Sequence, residues 1–68
     1  MERKEYKYDN ADIFGSIIPL TLKEFRGKFL LNVYDTIHHS PLILQTFDSF
    51  DEAKSYLYRY YPYMKERN

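Results

Sequence analysis

No cysteine or tryptophan occurs in the 68 residues, glycine occurs twice and proline three times. Without cysteine there are no disulfides and no thiolate zinc ligands, so nothing covalent reinforces a chain that buries only about 60% of its unfolded surface. Two scattered glycines cannot form a phosphate-cradling loop. Neither charge sign is in excess, with ten Lys plus Arg against ten Asp plus Glu. The strong basic surplus of many nucleic-acid binders is therefore missing. Ile13 to Leu22, uncharged throughout, is too short to cross a bilayer, and nothing reads as a signal peptide. A cytoplasmic protein without membrane association is expected.

Aromatic rings are what the chain has instead. Eight Tyr and five Phe make 19% of the sequence, and each ring can bury about 150–250 Å². Stability must come from packing these rings, or from a partner.

Residues 1–12 interleave charge with two tyrosines and read as a flexible, charged N-terminal arm or an edge segment. Residues 13–68 read as a single small α+β domain. Pro19 lacks the donor a central strand needs, so a strand over 16–23 belongs at a sheet edge. Phe29, Leu31 and Val33 alternate with Leu30, Asn32 and Tyr34, the period of a strand over 28–35. Pro41 to Phe47 supplies another, and Gly27 suits the hairpin turn Phe25-Arg26-Gly27-Lys28. Thr21 with Glu24 also matches a capping box, and Leu22, Phe25, Phe29 and Val33 recur at helical spacing, so a helix over 22–35 is the competing reading. Gly27 and the run Phe29 to Tyr34 favour strand.

Ser49 followed by Glu52 is a second capping box, with Asp51 and Glu52 set against the helix dipole. A helix from Phe50 follows, its apolar stripe being Phe50, Ala53, Leu57, Tyr60 and Met64. Pro62 stops it near Tyr60. The expected architecture is a three-stranded antiparallel β-meander packed on one C-terminal α-helix.

No constellation points to catalysis or to a cofactor. His38-His39 are adjacent in a loop rather than spaced on one face for metal binding, with Asp35 the nearest carboxylate. No serine lies in a nucleophile elbow, and Asp48, Asp51 and Glu52 are explained by the helix start. A non-enzymatic protein is expected, with neither cofactor nor metal.

Two surfaces remain. Tyr56, Tyr58, Arg59 and Tyr63 combine the residue types enriched at protein interfaces. They point to a small regulator or inhibitor that binds another protein, of the kind a phage or mobile element directs at a host. The alternative surface is Lys23, Arg26, Lys28 and Tyr34, a basic turn beside a sheet face suited to nucleic acid. The Pro41 to Phe47 edge is the expected site of any self-association.

The runs Gly27 to Asp35 and Gln45 to Lys54, with Thr46-Phe47 followed by Glu52-Ala53-Lys54, resemble the strand–strand–helix of the arm-type DNA-binding domain of tyrosine recombinases. The likeness covers about half the chain. It implies a three-stranded sheet that enters the major groove, backed by a helix. Leu30, Asn32, Tyr34, Ile43 and Gln45 stand here where that family's sheet carries Lys and Arg.

Overall fold

The computed structural model describes residues 2–8 and 12–67. Five antiparallel strands form one sheet: β1 (Lys4–Tyr8), β2 (Ile13–Pro19), β3 (Phe29–Asp35), β4 (Ser40–Phe47) and β5 (Met64–Glu66). Their spatial order is β4-β3-β2-β1-β5. One helix, α1 (Phe50–Tyr60), connects β4 to β5 and packs on one face of the sheet. The class is α+β, as the sequence indicates, with two strands more than the expected meander.

The additional strands are β1 and β5. In place of a flexible arm, Lys4 to Tyr8 pairs with β2 through Tyr6↔Gly15 and with β5 through Tyr6↔Glu66. Residues 1 and 9–11 of the expected arm lie outside the described residues. The physical reason is period two: Lys4, Tyr6 and Tyr8 turn to the helix while Glu5 and Lys7 turn away. Tyr6 is fully buried. Met64 fits the helical stripe only by arithmetic; it lies past Pro62 on β5, and it reaches the core by pairing with Tyr8.

β2 is the middle strand rather than an edge. Leu20 N–H donates to the Lys28 carbonyl, so the preceding residue, Pro19, aims its nitrogen at the β1 side. Pairing with β1 runs only to Ile17↔Lys4, so no ladder bond is lost there. Between β2 and β3 a short 3₁₀ turn at Lys23–Phe25, without a side-chain cap, is all that forms of the competing helix. Gly27 takes φ +87° in the turn, as its position requires.

The α1 cap is as expected. Ser49 Oγ accepts from Glu52 N–H at 3.1 Å, and the helix ends at Tyr60 before Tyr61 and Pro62. Ala53 and Leu57 are buried against Tyr6, Ile17, Leu31, Val33 and Met64. Around this core the aromatic rings stand as a fence between helix and sheet. Phe50 meets Phe29 at 6.1 Å, Tyr56 meets Phe47 at 5.2 Å, Tyr58 meets Tyr6 at 6.2 Å and Tyr61 meets Tyr8 at 5.5 Å. Gly15 lies beneath the helix, where a Cβ would stand 3.6 Å from Leu57 Cδ1.

The Tyr6 hydroxyl is buried without a hydrogen-bond partner. Burial, with Glu66 and Tyr58 adding smaller effects, pushes its pKa up to about 12 from the ordinary 10.0. Tyr6→Phe is therefore expected to keep or raise stability, since it removes an unsatisfied donor, whereas Tyr6→Ala should cost about 3–5 kcal/mol. The raised pKa favours the neutral ring in the folded state. Its contribution, about 2–3 kcal/mol, is complete below pH 10 and lost as pH rises through 12. Urea unfolding of wild type and Tyr6→Phe across the alkaline range should show a shallower decline for the variant.

Candidate nucleic-acid interface

With α1 on one face, the other face of the sheet has no covering element among the described residues. Residues paired directly across antiparallel strands share a face, so the register identifies what lies there. One row runs Lys7, Phe14, Tyr34; the next runs Glu5, Ser16, Asn32, Leu44; a third runs Ile18, Leu30, Thr46. Lys65 pairs with Lys7, and Arg67 N–H donates to the Glu5 carbonyl, which extends the face across β5.

Phe14 and Tyr34 are stacked at 6.1 Å between centroids with 20° between their planes. Lys7 Nζ stands 5.7 Å and the Arg67 guanidinium 5.3 Å from the centre of the Phe14 ring, both within cation–π range. Arg3 Nε lies 3.6 Å from Glu5 Oε1 beside them. The strand positions of this face, with Arg3 and Arg67, thus carry four cations against one anion, Glu5: four minus one, or plus three. A chain with no net charge has a basic face.

Between the rings and the cations is a cavity of about 240 Å³, lined by Arg3, Phe14, Ser16, Tyr34 and Arg67 among others. Ser16 is only 3% exposed and its Oγ has no partner. A buried hydroxyl left unmatched at the base of a cavity is a group able to bond an incoming ligand.

The residues singled out from sequence are distributed differently. Tyr56 and Arg59 line a shallow cleft of about 530 Å³ with Phe47 and Asp51, between α1 and β4. Tyr58 lies on the opposite flank against Tyr6, and burial raises its pKa, with the Glu66 charge adding to the effect. Tyr63 is 69% exposed beside Tyr8. The four therefore form no single patch, because residues 56 and 58 are about 200° apart on a helix. Of the basic turn, Lys28 is tied to Asp48, whose carboxyl the Lys28 hydrogen bond holds below its ordinary pKa. Tyr34 lies six residues further along β3, about 20 Å from Lys28, and so does not join that turn. Asp35 accepts from Ile37 N–H at 2.8 Å and lies 2.9 Å from His38 Nδ1, an arrangement that closes the β3–β4 loop and lowers the Asp35 pKa.

Sequence reasoning missed Lys7, Phe14, Ser16, Lys65 and Arg67. The alternation Arg3, Glu5, Lys7 and the pair Lys65, Arg67 carried the signal, but only β1–β5 pairing places them together.

Compared with known proteins, the chain matches no family model, no curated protein and no solved structure.

Ser16→Ala removes the unpartnered hydroxyl, so stability is expected to stay within about 0.5 kcal/mol of wild type by thermal or urea unfolding. A larger loss would mean that Oγ has a structural role.

Proposed function

We propose that this protein is a non-enzymatic binding module that holds single-stranded nucleic acid on the open face of its sheet. The observation that carries the reading is the Phe14–Tyr34 ring pair on an uncovered, net-positive sheet face. An exposed ring on a flat sheet offers a stacking surface to an unpaired base, and stacking of this kind contributes about 1–3 kcal/mol per base. Tyr34 is the accessible ring, at 38% exposed. Lys7, Lys65, Arg67 and Arg3 supply the positive rim along which phosphates run, and Ser16 and Asn32 offer hydrogen bonds to base edges. The resemblance to recombinase arm-type domains implies a sheet that enters duplex DNA, whereas the cations here sit on or beside β1 and β5, outside the segments that carry the likeness.

A protein partner on the same face is the second reading, favoured by Leu44, which is 66% exposed on its outer strand, β4. Large apolar side chains on a sheet's solvent side are a mark of protein contact. Small regulators of host proteins fall within this reading.

Fluorescence anisotropy with labelled single-stranded DNA and RNA, and with duplex DNA, separates the two. Binding should be strongest for a single strand, with the logarithm of affinity falling linearly with the logarithm of salt concentration, by about 0.7 per phosphate contacted. Tyr34→Ala and Arg67→Ala should each weaken it by about five- to a hundredfold, while Arg26→Ala at the distant turn should have little effect. Absence of binding at low salt, or equal loss from Arg26→Ala, would overturn the nucleic-acid reading.

A further inference from the structure

The two edges of the sheet are unequal. β5 is three residues long and carries Lys65 and Glu66, the short, charged form that discourages edge pairing. β4 is eight residues long, and none of Ser40 to Phe47 is charged. Pro41 and the register shift opposite Val33 and Tyr34 interrupt only its first end. From Ile43 onward the edge has none of the usual protection.

The direction of its free backbone groups follows from the ladder. Leu20 N–H donates to the Lys28 carbonyl and Thr36 N–H to the Asp12 carbonyl. Leu30, Asn32 and Tyr34 therefore bond toward β2, and Phe29, Leu31 and Val33 toward β4. Ile43, Gln45 and Phe47, their partners, point N–H and C=O inward. Leu44 and Thr46 then direct theirs outward, away from the sheet.

We infer that this edge pairs with a second copy of the chain, antiparallel about a two-fold axis at Leu44, joining two five-stranded sheets into one. In that register each Leu44 N–H donates to the other copy's Leu44 carbonyl, and Thr46 comes opposite Leu42. Leu44 and Thr46 lie on the open face, so both open faces point the same way and the two exposed Leu44 side chains meet. No like charges face across the seam, and each Asp48 keeps the Lys28 of its own chain. A second copy suits this edge because a two-fold axis satisfies the outward groups reciprocally. A chain this small also gains burial it lacks alone. The inference does not rest on the nucleic-acid reading.

Sedimentation equilibrium of the full chain at increasing concentration should show a monomer–dimer equilibrium. Leu44→Lys puts two ammonium groups at the axis and should weaken the dimer at least about tenfold; circular dichroism should stay unchanged because the side chain is mostly exposed. Hydrogen exchange on wild type supplies a second readout: the Leu44 and Thr46 amides should gain protection as concentration rises, with Lys65 unaffected. A chain that stays monomeric at about 1 mM, a dimer indifferent to Leu44→Lys, or edge amides that exchange equally at all concentrations would each overturn the inference.

Discussion

One helix has to cover one face of a sheet wider than itself, and most of the structure answers to that constraint. Eleven residues make a helix about 16 Å long and 10–12 Å across, whereas five strands place their outer members about 19 Å apart. Leu57 and Ala53 fill the centre line. The margins on either side are too wide for aliphatic side chains to close, and rings close them instead. Phe29, Phe47 and Tyr56 stand on one flank, Tyr6 and Tyr58 on the other, and Tyr8 and Tyr61 at the end. The abundance of tyrosine follows, because a phenol can bury its ring at a margin and leave its oxygen near water. Tyr6, the deepest of them, is where that compromise fails and the hydroxyl goes unmatched.

The same constraint leaves the second face bare. Antiparallel sheets tolerate this when the outward residues are polar. Here the outward rows grade from Lys65, Lys7 and Arg67 on one side, through Phe14 and Tyr34, to Leu30 and Leu44 on the other. Acids Asp51 and Glu52 lie instead in the first turn of α1, on the other side of the sheet. Electrical neutrality in the sequence is thus a sum over two differently charged regions, and a ligand approaching the sheet meets only one of them.

How much of this is legible in the sequence depends on the range of the interaction. The cap at Ser49, the Gly27 turn, the β3 alternation and the stop before Pro62 are written in neighbouring residues and appear as expected. β1 and β5 are not, because Lys4 to Tyr8 and Met64 to Glu66 each acquire their meaning from a segment nearly sixty residues away. Charges at every second position look like a solvated tail until a partner strand turns them all to one side. Pro19 misleads for the same reason: whether a missing donor matters depends on how far the neighbouring strand extends. The tyrosines of 56–63 are dense in sequence yet divided in space by helical rotation.

The pairing of Tyr6 with Glu66 also sets a schedule. β1 is made early in synthesis and β5 only after every other element has emerged, so the strand that completes the basic face arrives last. Contacts of such long sequence separation form slowly, after local hairpins and the helix. During translation the nascent chain holds Lys7 and Phe14 but not Arg67. The cationic cradle around the Phe14 ring is therefore complete only once β5 has paired with β1.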